Sequence, residues 1–588
     1  MKKSYIGIVS LLIGLSLTSC SSDILDVSPH RSMSDESVWG NLDLANAFLN
    51  NCYTTIEADN EAGVMFCNYT DETYHLFDYG TTGYTKGLMT PDNYNTGWTE
   101  GKGNTWYHYY KGIKNVNQLL ANIDNVPAIS ESDKTKKQQI IGQAYFLRAF
   151  YYHYLYALYG RVPLIYHTFD LDSKFEEKRA DMDEVADSII KDCDRAATLL
   201  PIEYSSANDF GRATKGAALA IKARTLLFKA SPLFGTPSTA KWQAAADANK
   251  AVIDLGEYSL KSVKSSDEYA ALFFDTKNPE VIFEKMYNVK GTYGSSSSYY
   301  MQAPPGPGSG YNGWSTWEPT YDIVNAYQNS DGTEYSIKGI KDYTIQKPTM
   351  SDNGIVYTTT TIKATNINPW EGRDIRLKAN ILCDGDKWGF GDSNREVEDF
   401  QPAEEGATPG KDSKMGDTYW NASLTGYNMK KFLDPSVNTY DESVANTTPW
   451  FFFRLAEIYL NYAECEIELG NNAVALEYIN KVRTRALMPA ATGKDIRSEY
   501  KYERKIELMF EGQRFFDLRR WKEMPNIYSS SNWPTGIAIY KYKDGIKVYT
   551  HNTEYLQERK FKDSQSYWFP VPRYELNKCP NLDAAPYE

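Results

Sequence analysis

The sequence predicts a mostly α-helical protein built of antiparallel helix pairs, with a long loop-rich middle that holds a few short strands. Three observations carry this expectation. Apolar residues recur at steps of three and four in two blocks, one before about residue 290 and one after residue 449. Between the blocks Gly, Ser and Pro accumulate, at 295–298, 304–313 and 404–414. Within each block the periodic stretches are separated by short turns, which make successive helices antiparallel neighbours.

Taken in order, the chain starts with Lys2 and Lys3 ahead of an apolar run at 5–17. That run is shorter than the roughly 20 residues a spanning helix needs, so it reads as the core of a signal peptide. It ends in Leu17-Thr18-Ser19-Cys20, which resembles the bacterial lipobox and implies lipidation at Cys20. No later stretch is long and apolar enough to cross a bilayer. The chain is therefore expected to be anchored, not spanning.

The first strong helix is 138–159, apolar almost all round through Phe146, Leu147, Phe150, Tyr154 and Leu158, and stopped by Gly160 and Pro163. Such a helix belongs at the centre of a bundle. A second begins near Asp183 and ends at Pro201, with Val185, Ile189, Cys193 and Ala196 on one stripe. A third begins near Thr214, and its Ala217, Ala218, Ala220 and Ala223 allow close packing. In the late block Leu455, Ile458, Tyr462, Cys465 and Leu469 lead to Gly470, and Ala475, Ile479, Val482 and Ala486 follow. Helical segments near 499–511 and 515–522 complete it. The pairs resemble tetratricopeptide repeats, although the period is irregular. The β-branched run 355–362 is the clearest strand in the middle.

Composition narrows the function. With 63 basic and 76 acidic residues the net charge is −13, and loss of Lys2 and Lys3 makes it −15. An acidic surface of that size disfavours nucleic acid. The 46 Tyr and 13 Trp suit a wet binding surface as well as a core. Apart from Cys20, the cysteines 52, 67, 193, 383, 465 and 579 show no metal spacing and are too sparse for a disulfide scaffold. They read as core residues, with a Cys52–Cys67 bridge left open.

The motifs, in order, are specific. LDVSP at 25–29 follows Cys20. FLRA at 146–149 precedes YGRVPL at 159–164. PT at 319–320, IVNAY at 323–327 and DG at 331–332 come next, then GRDIRL at 372–377. FRLAEIYLNYAE at 453–464 leads to Asn480 and RTRA at 483–486. ERKIEL at 503–508, FEG at 510–512, RFFDLRRW at 514–521 and FPVP at 569–572 with Glu575 close the series. Together they resemble the SusD/RagB family over nearly the whole mature length. The chain departs from the family at its end, where Ala584-Ala585-Pro586-Tyr587 stands in place of a Gln-Asn-Pro-Gly-like tail. The resemblance implies four tetratricopeptide-like helix pairs on one flank and loops on the other. It also implies docking over a SusC-type TonB-dependent porin as a lid that delivers glycan. The expected organisation is a signal peptide at 1–19, an N-terminal helical region at 21–289 and a C-terminal region at 290–588, packed as one unit.

Catalysis is not expected. Glu507 and Glu511 lie one helical turn apart, with Glu457 and Glu464 on an earlier helix, and paired carboxylates can hydrolyse glycosides. But Arg504, Arg514, Arg519 and Arg520 are near in sequence, and cations favour ionised carboxylates over the protonated acid such chemistry needs. A structural charge network is the expectation here, and likewise for Arg373, Asp374 and Arg376. No metal or cofactor motif appears. Asp384-Gly385-Asp386 is loop-like, yet Trp388 occupies the third ligand position of a calcium loop.

Recognition is expected to rest on aromatic stacking against sugar rings. The candidates are Tyr74, Tyr94 and Trp98 before the first core helix, and Tyr293, Tyr299, Tyr300, Trp314 and Trp317 in the middle, with Asp71, Asn93 and Asn312 as polar partners. Trp98 and Trp317 lead this set, because both sit among Gly, Thr, Asn and Ser. Trp106, Trp370 and Trp521 read as core. The expected partners are an oligo- or polysaccharide, the porin and outer-membrane lipid. Peptide capture, a protein-binding scaffold and a glycoside hydrolase are the alternatives.

Overall fold

The computed structural model describes residues 38–61, 64–77, 81–94, 105–170, 172–287, 313–351, 354–389, 394–416, 421–436 and 447–587. The helical flank is formed by α1 (Leu42–Tyr53), α2 (Thr105–Asn122), α3 (Glu131–Tyr159), α4 (Met182–Leu199), α5 (Lys215–Ala230) and α6 (Thr239–Ile253). After the middle of the chain come α7 (Leu455–Glu468), α8 (Asn472–Arg485), α9 (Ile496–Glu507), α10 (Gln513–Arg520) and the short α11 (Arg573–Lys578).

Each helix from α2 to α6 packs on the next, α6 packs on α7, and α7 packs on α8. The two helical blocks are thus one continuous stack of helix pairs joined at the α6–α7 contact. In such a stack each pair buries the face its neighbour leaves open.

Local chemistry sets the ends. Ser130 accepts from Asp133 N and Asp133 from Ser130 N, a reciprocal cap that starts α3. Gly160, at φ +69°, ends it. Between these, Phe146, Leu147, Phe150, Tyr151 and Leu155 are fully buried, as the all-round apolar pattern requires. Gly112 of α2 faces the ring of Tyr151, and a Cβ there would lie 2.6 Å from it. That glycine lets α2 lie directly on α3.

The middle is strand and loop. The paired strands of three or more residues, among the described residues, are β1 (Thr73–His75), β2 (Val281–Lys285), β3 (Trp317–Pro319), β4 (Lys341–Ser351), β5 (Gly354–Ala364), β6 (Trp450–Arg454), β7 (Gly536–Lys541) and β8 (Lys547–Asn552). β1 pairs with β3, β2 with β6, β4 with β5 and β7 with β8, all antiparallel. The β4–β5 ribbon is largely exposed on both faces. One cluster of buried apolar side chains includes residues from Trp39 to Val571 and so joins both ends of the described chain. Among the described residues no helix is long and apolar enough to cross a membrane.

Candidate functional site

The β1–β3 ladder brings the early candidate residues to the middle ones. Tyr74 stands opposite Glu318 and His75 opposite Trp317. Leu76 N donates to Thr316 O at 3.0 Å, and Thr320 Oγ1 donates to Asp71 O at 2.6 Å. Just beyond the ladder, Phe77 and Trp314 meet edge to face at 5.6 Å and 73°, both half-buried.

A third loop closes on this junction. Glu318 Oε2 accepts from Leu424 N at 2.8 Å and Thr425 N at 2.9 Å, and Ser315 Oγ donates to Asn428 Oδ1 at 2.8 Å. Burial pushes the Glu318 carboxyl up to about 8 despite those two N–H donors. Burial, with Asp412 and Asp384 beside it, also pushes Asp399 well above the usual carboxylate range. The 424–425 loop is thus held by Glu318, whose carboxyl favours the neutral form.

The structure divides the expected residues. Trp317 is 1% exposed and belongs to the hydrophobic core. Its expected role as a stacking surface is corrected to packing, because pairing with β1 turns its ring inward. Tyr74, 5% exposed, is corrected on the same ground. Asp71 is held by Arg514, whose Nη2 lies 2.8 Å from Oδ2, and by Lys505 Nζ at 3.1 Å. Burial alone would raise its pKa, but Arg514 and Lys505 hold it well below the usual range. It is corrected from sugar contact to ion-pair anchor.

Asn93 is exposed, and its Nδ2 donates to Leu88 O at 3.0 Å. Tyr94 is half-buried against Tyr574 of α11, with ring centroids 6.0 Å apart. Trp98, Tyr293, Tyr299, Tyr300 and Asn312 lie outside the described residues, as does Cys20. Two aromatic pairs therefore stand at the described edge of the loops, Phe77 with Trp314 and Tyr94 with Tyr574. Phe77 and Tyr574 were not foreseen. No spacing rule links 77 to 314 or 94 to 574, and only the folded backbone brings them together.

The paired glutamates form a charge network. Glu507 accepts from Arg454 Nη1 at 2.8 Å, Arg376 Nη1 at 3.0 Å, Tyr269 Oη at 3.0 Å and Arg485. Glu511 accepts from Arg454 at 2.7 Å through each oxygen and from Lys431 Nζ at 2.8 Å. Burial would raise Glu507, but Arg485, Arg454 and Arg376 outweigh it and hold the carboxyl well below the usual range. Glu464, bound by Arg520, Tyr500 and Trp521, is lowered to about 2 against its own burial. Carboxylates held this firmly ionised are unsuited to donate a proton.

Other polar groups are similarly engaged. Asp384 pairs with Lys547 at 2.5 Å and Asp386 with Lys378 at 2.5 Å. Among the described residues no group of three or more His, Cys, Asp or Glu side chains is placed to hold a metal ion. Cys52 and Cys67 are buried free thiols, so the bridge left open by the sequence is not formed. Burial pushes the Cys52 thiol up to about 12.

Comparison with known proteins agrees with this architecture. The model of the SusD family matches residues 279–587, and a second, described as starch-binding associating with outer membrane, matches 23–227. A SusD-like protein of Bacteroides fragilis is 25% identical, with a TM-score of 0.76 over 94% of this chain and 98% of that one. A SusD-like carbohydrate binding protein of the same species is 24% identical, with a TM-score of 0.71 over 93% and 100%. SusD-like protein P25 of Formosa agariphila is 24% identical over 71% of this chain and 69% of its own.

Proposed function

The chain belongs to the SusD family, and on that premise we propose that it captures a nutrient glycan at the cell surface and passes it to a SusC-type TonB-dependent outer-membrane porin. The observation that carries this reading is the pair of aromatic clusters at the loop edge, Phe77–Trp314 and Tyr94–Tyr574, on a frame pinned by buried ion pairs. Aromatic faces meet the apolar C–H faces of sugar rings, while exposed amides such as Asn93 suit the hydroxyls. Trp98, Tyr293, Tyr299, Tyr300 and Asn312 are proposed to complete the same surface. The carbohydrate binding attributed to the Bacteroides fragilis relative supports the ligand class.

Cys20 is proposed as the lipid anchor. A protein tethered through one residue and resting over a porin needs no spanning segment of its own. The regions 21–289 and 290–588 are proposed to act as one unit, since the helix stack crosses between them at the α6–α7 contact.

The reading is tested by titrating the purified mature protein with a panel of polysaccharides beside a peptide digest. Saturable binding of at least one polysaccharide is expected. Binding of peptides with no response to any polysaccharide would replace this reading with peptide capture.

A further inference from the structure

Away from the loop edge, helices α2, α3 and α4 border an open cleft of about 390 Å³. That volume falls within the roughly 300–1,000 Å³ of small-molecule sites. The cleft unites cations and aromatic rings in a chain whose overall charge is −13.

At its floor the buried Arg148 donates to Asp192 through Nε at 2.7 Å and Nη2 at 2.9 Å, and to Asn117 Oδ1 at 2.9 Å. Its guanidinium lies 5.4 Å from the Tyr145 ring centre and 4.9 Å from that of Tyr166. The Arg195 guanidinium lies 5.1 Å from the Tyr145 ring centre and donates to the Tyr145 hydroxyl at 3.3 Å. Tyr166 is 48% exposed and bonds to Ser188 through its hydroxyl, which fixes the ring at the cleft wall.

The charges do not balance. Arg148, Lys191 and Arg195 face one carboxylate, Asp192, and both its oxygens are engaged by Arg148. The neighbouring acids of α4 are also engaged: Asp194 by Lys222 at 2.6 Å, and Asp187 by Lys229. Among the described residues neither Lys191 nor Arg195 has a carboxylate partner, and both are exposed. Two unmatched cations beside a tyrosine-walled cleft offer charge-assisted hydrogen bonds and a stacking face together.

We propose that this cleft is a second saccharide site, specific for a sugar bearing an anionic substituent, either a uronate carboxylate or a sulfate ester. Lys191 and Arg195 bind the anion, and Tyr145 and Tyr166 flank the ring. Arg148 and Asp192 are positioning residues that hold the floor. The assignment rests on the glycan-capturing function proposed above but uses different residues, so the two are separable.

The test is titration calorimetry on the mature chain with three probes of matched length: an oligogalacturonide, a sulfated galactan oligosaccharide and an uncharged gluco-oligosaccharide. One of the charged probes is expected to bind, and which one identifies the anion. Lys191→Gln with Arg195→Gln should weaken that binding by about a hundred-fold, roughly ten-fold per charged hydrogen bond. Lys134→Gln with Lys136→Gln changes the net charge equally on an exposed part of α3 and should leave it unaltered. Tyr166→Ala should weaken it, with the melting temperature kept.

Failure of both charged probes while an uncharged glycan binds would overturn this site and leave the general function standing. Equal losses in the two lysine-containing double variants would overturn it as non-specific attraction. Tighter binding of an oligoglutamate peptide than of either charged sugar would assign the cleft to a protein partner instead.

Discussion

Replacing Glu507 by Gln tests whether the central carboxylates hold the fold or act on a ligand. The carboxylate receives hydrogen bonds from Arg454, Arg376, Arg485 and Tyr269, and its side chain is fully buried. An amide cannot neutralise three guanidinium groups, and one of its two terminal atoms would meet them as a donor. Each arginine does keep another acid: Arg454 has Glu511, Arg376 has Asp374 and Glu503, and Arg485 has Glu280. The cost therefore belongs at the low end of that for a broken buried pair, about 3 kcal/mol. With an unfolding entropy of about 2.1 cal/mol/K per residue, a cooperative unit of this size loses roughly 2.5 °C in Tm. Scanning calorimetry resolves that drop, and glycan titration of the same sample should show affinity within a few-fold of wild type. An unchanged Tm with lost affinity would refute the structural role. So would polysaccharide hydrolysis by the wild type that disappears in the variant.

Two further outcomes follow from particular residues. Glu318, at about 8 in the folded protein against an ordinary 4.5, makes folding less favourable as pH rises through that interval, because the unfolded chain ionises first. Glu318→Gln removes this penalty, so its Tm relative to wild type should be higher at pH 9 than at pH 5; an equal difference at both would contradict the assignment. Cys20→Ala should move the protein from the membrane fraction to the soluble one in cells lacking the porin, and retention on membranes there would show a second anchor.

Much of the helical frame was legible because burial and periodicity coincide. The helix ending at Gly160 and the one ending before Pro201 follow from patterns that packing reinforces. The acid–arginine motifs likewise pointed to ion pairs, which the Glu507 and Glu464 networks contain. By contrast α2, TWYHYYKGIKNVNQLLAN, carries Trp106, Tyr109, Ile113, Val116 and Leu119 at helical spacing, but polar residues and a glycine interrupt the stripe, and the reason for that glycine, the Tyr151 ring of α3 lying against it, is non-local. Of the β4–β5 ribbon, the β-branched run 355–362 marked β5, whereas β4, exposed over most of its length, lacks the alternation that marks a half-buried strand. Trp317 misled for a related reason. Composition around it suits a loop, whereas its burial is set by pairing with a strand 242 positions earlier (His75 with Trp317). Non-local pairing leaves little trace in local sequence, and the site depends on it.

The most direct measurement is polysaccharide affinity of wild type beside Trp314→Ala, with melting temperatures taken in parallel. Trp314 is half-buried against Phe77 at the loop edge, where its loss removes a stacking face without opening the core. Wild type is expected to bind at least one polysaccharide. The variant should bind it ten- to hundred-fold more weakly, about 1–3 kcal/mol for one stacking surface, with Tm changed by less than about 2 °C. Equal affinity in the two proteins would contradict the aromatic site, and no binding of any polysaccharide by wild type would contradict glycan capture itself.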